Sequence, residues 1–218
     1  MVKVKICGFT RPEDVKIACK LGADMVGVIM VPKSPRNVSI GRAKQILAAA
    51  EKGVEKVAVI MPQSLADIEK ISEELKPDYL QLHLKFPAGD LQDIKKRLGA
   101  RLIVVVPIPP QVENRQRIVD MAKEADKVAD LVLLDTKGLH GGGTGLTHDW
   151  NLSREIRAIV KKPLLLAGGL NPANVGQAIK IVRPYGVDVA TGVESSLGIK
   201  SPELMRELMN AVRGASHE

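Results

Sequence analysis

The chain has 218 residues, 45% of them hydrophobic and only 2% aromatic, with two cysteines and a formal net charge of +7. That size admits one large α/β domain or two small ones, no apolar run approaches the roughly 18 residues of a membrane span, and two cysteines are too few for a disulfide framework, so both read as free thiols. The basic balance invites anionic partners, but Lys16, Lys20, Lys44, Lys52 and Lys70 lie along helix faces among acids, which describes a solvated surface and not a nucleic-acid footprint.

Met1 to Lys5 runs straight into a strand without the apolar stretch and cleavage site of a signal peptide, so the expected location is cytoplasmic. Lys3–Cys7 is the first strand. A helix follows, opened by Thr10-Arg11-Pro12-Glu13 as a capping box with proline in the first turn and closed by Gly22. Cys19 shares the inner face of that helix with Val15 and Ala18 and reads as packing. Met25–Val31 is an apolar strand, and Pro32 to Asn37 a stiff loop. Ser39 caps a second helix expected to run to about Gly53. Lys56–Met61 is strand three. Ser64 caps helix three, in which Leu65, Ile68, Ile71 and Leu75 fall near helical spacing. Tyr79–His83 is strand four, and Leu91, Ile94 and Leu98 mark helix four. Arg101–Ile108 is strand five, stopped by Pro109-Pro110. Helix five passes through Ile118, Met121, Ala122 and Ala125. Leu131–Asp135 is strand six. A glycine-rich loop from Lys137 to Trp150 leads to helix six around Glu155–Val160. Pro163–Ala167, Asn174–Val182, Val187–Ala190 and Ser201–Val212 complete the alternation as strand, helix, strand and helix.

Leu102 to Val106 and Leu131 to Leu134 are apolar on both alternations, the mark of parallel strands covered on both faces. Eight strand–helix units fit a (β/α)8 TIM barrel of compact size. The competing open doubly wound sheet lacks its Gly-x-Gly-x-x-Gly turn, because Cys7-Gly8-Phe9-Thr10 stands after the first strand. No linker divides the chain, and the expectation is one α/β domain over residues 1–218.

In such a barrel the strand C-termini share one face, where chemistry collects. Cys7 ends the first strand, either as a thiol of lowered pKa acting as base or nucleophile, or as a small buried hydrophobe. Asp135 ends an otherwise apolar strand, where an unpartnered acid would be costly and function is favoured. Asp188 lies inside strand eight, placed to hold a lysine or arginine structurally. Strand seven ends at Gly168-Gly169, followed by Asn171-Pro172 as an expected N-cap and first helical residue. Strand eight ends at Thr191-Gly192. Glycine turns at these two ends, with a helix N-terminus, suit a phosphate. His83 ends strand four and is placed to line a pocket, without the neighbours a metal would need. Arg36, stiffened by Pro35, reads as a carboxylate or phosphate clamp or as a surface arginine. Gly141 to Gly145 is placed to act as a lid over Asp135 or as a plain connection.

Lys5-Ile6-Cys7-Gly8, Gly22-Ala23-Asp24, Pro32-Lys33-Ser34-Pro35-Arg36, Gln81-Leu82-His83, Leu134-Asp135-Thr136, Gly142-Gly143-Thr144-Gly145, Asp149-Trp150, Gly168-Gly169-Leu170-Asn171-Pro172 and Gly192-Val193-Glu194 occur in one order. That ordered set resembles phosphoribosylanthranilate isomerase of tryptophan biosynthesis, nearly end to end. The resemblance implies a (β/α)8 barrel that isomerises N-(5-phosphoribosyl)anthranilate by an Amadori rearrangement, without metal or organic cofactor. It implies Cys7 as general base, Asp135 as general acid, Arg36 on the anthranilate carboxylate, and the strand seven and eight loops on the phosphate. The chain departs from the family in four places: Leu84-Lys85-Phe86 after His83, where glycine is usual; the Val105 to Pro110 run; His148, where phenylalanine is usual; and Ala190-Thr191, where serines are common. The rival readings are a silent phosphosugar-binding paralogue and a related phosphosugar isomerase such as the histidine-pathway ProFAR isomerase. The latter family has aspartate where Cys7 stands. Monomer and homodimer both remain open.

Overall fold

A computed structural model describes residues 1–83, 88–136 and 147–215. Strands β1 (Lys3–Ile6), β2 (Met25–Met30), β3 (Glu55–Ile60), β4 (Tyr79–His83), β5 (Arg101–Ile108), β6 (Leu131–Thr136), β7 (Leu164–Leu166) and β8 (Gly186–Val189) form a closed barrel in chain order. Every neighbouring pair is parallel, and β1 closes on β8 with Lys5 opposite Asp188. Helices α1 (Pro12–Leu21), α2 (Ile40–Leu47), α3 (Leu65–Leu75), α4 (Ala88–Lys95), α5 (Arg115–Val128), α6 (Trp150–Ile159), α7 (Val175–Val182) and α8 (Pro202–Ala215) connect and follow them. The TIM-barrel expectation therefore holds. Among the described residues no helix is long and apolar enough to cross a membrane.

The alternation of each strand divides the core in two. Val4, Ile6, Val26, Val28, Leu102, Val104 and Leu134 face outward and pack with the helices. Met25, Val57, Tyr79, Ile103, Val105, Leu131, Leu133 and Leu165 fill the barrel interior. Branched aliphatic side chains do this work in a chain nearly without aromatics, as a packed barrel interior requires. Lys5, of the opposite parity to Val4 and Ile6, is wholly buried.

Three local expectations need correction. Thr10 does not cap α1, because its hydroxyl donates to the carbonyl of Gly198 at 2.6 Å. Arg11 stands at the N-cap instead, without a side-chain capping bond, and Pro12 opens the helix as expected. Helix α2 ends at Leu47, well short of Gly53. The amides of Ala49 and Ala50 reach back three residues, to Ile46 and Leu47, and tighten the chain into turns. Asn171 and Pro172 do not open α7. Asn171 accepts from Ala173 N, and Asn174 accepts from Asn171 N, so these side chains stabilise a turn and the helix starts at Val175. A short antiparallel pair, β9 (Glu194–Ser196) and β10 (Ile199–Lys200), follows a single 3-10 turn at Thr191–Val193. Sequence reasoning did not anticipate it. Ser39 and Ser64 cap α2 and α3 as expected, the latter in a capping box with Asp67.

Candidate active site

A cavity of about 180 Å³ opens at the C-terminal ends of the strands, lined by Cys7, Gln81, Asp135, Asp188 and the residues following β7 and β8. The barrel thus brings together Cys7 and Asp135, two reactive groups far apart in sequence. Cys7 lies just past β1, tied by its amide to Val189 O at 2.9 Å. Its sulfur needs the bare backbone opposite: a β-carbon on Gly27 of β2 would stand 2.9 Å from Sγ.

Below these groups lies a buried ion pair. Lys5 Nζ donates to Asp188 Oδ2 at 2.8 Å. The register makes the pair, since the two residues are direct partners across the closing seam. Asp188 does hold a lysine, as its position suggested. Asp188 Oδ1 and Gln81 Oε1 are buried without a hydrogen-bond partner among the described residues. They are two acceptors available to a ligand rich in hydroxyl groups, because a buried acceptor left unpaired is costly.

Burial, reinforced by the charge of Asp188, pushes the Asp135 carboxyl up to about 7, against the Thr136 N–H and Lys5. A carboxylic acid so placed keeps a proton to give near neutrality. Burial also pushes the Cys7 thiol up; Lys5 and Lys200 pull it down, Asp188 opposes them, and the net direction is up. Of the two readings strand position allowed, the thiol of lowered pKa is therefore not the one its surroundings favour. Burial opposes the charge of Lys5, but Asp188 and Cys7 outweigh it and hold the ammonium above its ordinary value.

The strand-seven and strand-eight ends close the cavity. Gly168 has φ +89°, and a β-carbon there would fall 2.0 Å from Thr136 Oγ1. Gly192 is as tight, with 2.0 Å to Leu170 O. A side chain at Gly168 would push its turn off the end of β6, and one at Gly192 would drive the two turns apart. Asn174 Nδ2 donates to Gly169 O at 3.0 Å and fixes the first turn before α7. Gly169 and Thr191 join Gly168 and Gly192 on the cavity wall.

Arg36 is buried, not a surface arginine. Its Nε and Nη2 donate to the two oxygens of Glu194 at 2.7 and 2.6 Å, and Nη2 also reaches Thr191 Oγ1 at 3.2 Å. Its stem crosses Gly8, where a β-carbon would meet Arg36 Cδ at 2.7 Å. Nη1 has no partner among the described residues. Lys200 Nζ donates to Glu194 Oε1, the oxygen that also accepts Arg36 Nε, at 3.0 Å and to Ala190 O at 2.9 Å. Burial alone would raise the Glu194 carboxyl, but Arg36 and Lys200 together hold it below its usual range. Arg36 therefore stands beside the cavity, locked to Glu194. His83 closes β4, and its side chain lies outside the described residues, as do Leu84 to Phe86, His140 and the Gly141 to Gly145 stretch.

Sequence reasoning assigned no role to Lys5, Gln81, Glu194 or Lys200. An inward-facing lysine in a strand two residues before Cys7 was a usable signal for Lys5. Gln81, an inward-facing polar residue in β4, carried the same signal, whereas Glu194 and Lys200 become legible only when the short β9–β10 pair meets Arg36 across the barrel mouth.

Residues 4–211 match the family model described as N-(5'phosphoribosyl)anthranilate (PRA) isomerase. A relative from Methanocella arvoryzae named N-(5'-phosphoribosyl)anthranilate isomerase is 40% identical over 98% of this chain and 99% of its own. One from Haloferax volcanii with the same name is also 40% identical, over 99% of this chain and 95% of its own. The crystal structure of the Thermotoga maritima phosphoribosyl anthranilate isomerase superposes with a TM-score of 0.86 at 34% identity, covering 98% of this chain and 100% of that one. A further phosphoribosyl anthranilate isomerase, solved with reduced 1-(o-carboxyphenylamino)-1-deoxyribulose 5-phosphate, superposes with a TM-score of 0.83 at 31% identity, with the same coverage.

Proposed function

The chain belongs to the N-(5'-phosphoribosyl)anthranilate isomerase family of tryptophan biosynthesis, and from that premise we propose that Asp135 is the general acid and Cys7 the general base of its Amadori rearrangement. The observation that carries the assignment is the single cavity lined by both, one a carboxyl held near neutrality and the other a thiol beside a buried ammonium.

Asp135 gives its proton to the ribose ring oxygen. The bond from C1′ to that oxygen breaks, the anilino nitrogen lone pair closes a C=N bond, and an open-chain iminium cation results. Cys7 as thiolate takes the proton from C2′, and the electron pair neutralises the iminium to an enolamine. Transfer of a proton from the enol oxygen to C1′ completes the 1-deoxyribulose product. Acid and base must reach different atoms of one sugar, and a barrel mouth with the groups on β1 and β6 suits that need. Asp188 Oδ1 and Gln81 Oε1 would accept from the sugar hydroxyls. The Gly168-Gly169 and Thr191-Gly192 turns would hold the phosphate through backbone N–H groups. The reading needs no metal or organic cofactor and no nucleic-acid partner, and it carries a cytoplasmic location.

Purified protein should destroy the fluorescence of freshly prepared phosphoribosylanthranilate. No turnover would favour the silent phosphosugar-binding paralogue or another phosphosugar substrate.

Arg36 would meet the anthranilate carboxylate through Nη1 while Glu194 fixes the rest of the fork. Arg36→Met should then raise KM by about tenfold or more with a smaller effect on kcat. It should also lower the unfolding free energy by about 1–3 kcal/mol, because Glu194 keeps only Lys200. Steady-state kinetics with thermal unfolding separate the two effects. An unchanged KM would remove Arg36 from substrate binding and leave it a prop for the β9–β10 pair.

A further inference from the structure

We propose that His148 is a positioning residue of this site, acting through Thr136 to hold the Asp135 carboxyl and the Gly168 turn in place together. His148 touches neither the cavity nor Cys7. It is buried against two hydroxyl groups, Thr136 Oγ1 at 2.8 Å from Nδ1 and Ser153 Oγ at 2.7 Å from Nε2. Both hydroxyls are themselves buried. Burial pushes the imidazole down to about 4, so the ring is neutral at working pH, with one nitrogen donating and the other accepting. The ring thereby ties the end of β6 to α6. The start of α6 is anchored in turn: Asp149 caps it at Asn151 N, 2.9 Å, and takes Arg115 of α5 at 3.0 Å.

Thr136 is where this tie meets the chemistry. Its backbone N–H supports the Asp135 carboxylate. Its side chain is seated against Gly168, so closely that a β-carbon on that glycine would lie within 2.0 Å of Oγ1. Asp135 and Gly168 both line the cavity. A rotation of Thr136 therefore moves the proposed acid and the proposed phosphate turn at once. The inference rests on the assignment of Asp135 made above.

The two ring nitrogens can be tested separately, because an asparagine amide at this position stands in for Nδ1 and a glutamine amide for Nε2. His148→Phe removes both bonds and leaves two buried hydroxyls unpartnered. It should lower kcat/KM by about tenfold and move the alkaline limb of the kcat/KM profile, set by Asp135, upward by roughly half a unit or more as the Thr136 N–H loses its aim. The other charged groups facing Asp135 are Asp188 on β8 and Lys5 on β1, and none of these variants changes them. His148→Asn should restore activity and limb, since it keeps the Thr136 contact. His148→Gln should not. Thr136→Val should reproduce His148→Phe. If His148→Phe unfolds at lower temperature but keeps wild-type kcat/KM and pH limb, or if Asn and Gln rescue equally, His148 is only a strut and the proposal falls. Should His148→Phe prove too unstable to assay, the Asn and Gln pair decides alone. An Asp135→Asn variant that remains active would overturn the acid assignment itself, whereas an inactive one beside a wild-type-like His148→Phe would overturn only the positioning role.

Discussion

Asp135→Asn should lower kcat by about a hundredfold or more at pH 7 and, in the same molecule, raise the thermal unfolding midpoint. Both effects have one cause. The carboxyl is driven up to about 7 because its charge is poorly accommodated: burial comes first and the negative charge of Asp188 second, while the Thr136 N–H and Lys5 only partly compensate. The neutral form is favoured in the folded state and the charged form in the unfolded one, whose carboxyl titrates near 3.9. The stability linked to this group is fully present below about pH 4 and is lost as pH rises through about 7. Asparagine mimics the protonated acid at every pH and so escapes that loss. Its advantage over the wild type should be small at pH 4 and reach on the order of 2 kcal/mol above pH 7, after solvent in the cavity screens part of the charge. Turnover moves the other way. The acid must carry a proton, so wild-type kcat/KM falls as pH rises above about 7, and in the variant that limb has no group behind it. Thermal melts at both pH values and a pH–rate profile check the pair of effects. A variant that keeps a tenth of wild-type activity would show that the ring oxygen gets its proton elsewhere.

The barrel was legible because its signal is local and repeated. Doubly apolar runs such as Leu102 to Val106 specify buried parallel strands wherever they occur, and eight alternating strand–helix units admit few arrangements. Cys7 and Asp135 stood out for the same reason, each a reactive side chain at the C-terminal end of a strand. The site's supporting groups were hidden because their partners are remote in sequence. Lys5 pairs with Asp188 only when β1 closes on β8. Arg36 finds Glu194 only through a short β9–β10 pair, whose strands are too brief to carry an alternation. The failed cap at Thr10 has the same origin: a carbonyl from that pair, Gly198 O, takes the hydroxyl that local pattern assigned to α1. Local pattern placed the acid and the thiol, and barrel closure supplied the charges that tune them.

Cys7→Ala should also lower kcat by about a hundredfold or more, with KM nearly unchanged, and the reason lies in the order of the two proton transfers. The thiol is a poor base at neutral pH, since burial raises its pKa and Asp188 adds to that against Lys5 and Lys200. A thiolate waiting beside the sugar is therefore not the resting state. Ring opening changes the field. Once Asp135 has given up its proton, the substrate carries a cationic iminium close to Cys7. A unit charge about 4 Å away in a medium of effective dielectric about 20 is worth about 4 kcal/mol, or roughly three pKa units on the thiol. Lys5, held charged by Asp188 and Cys7, adds to the same pull. Once the iminium has formed, the thiol releases its proton to solvent at the cavity mouth and the resulting thiolate takes the C2′ proton, so proton removal cannot precede ring opening. On this account Cys7→Ser fails nearly as badly as Cys7→Ala, because a hydroxyl lies too far above the reach of that shift. Single-turnover mixing should then separate the steps. Both Cys7 variants should still bind the substrate with wild-type affinity and stall before product, whereas Asp135→Asn should stall with the ring closed. A Cys7→Ala enzyme that turns over at near the wild-type rate would take the thiol out of the mechanism.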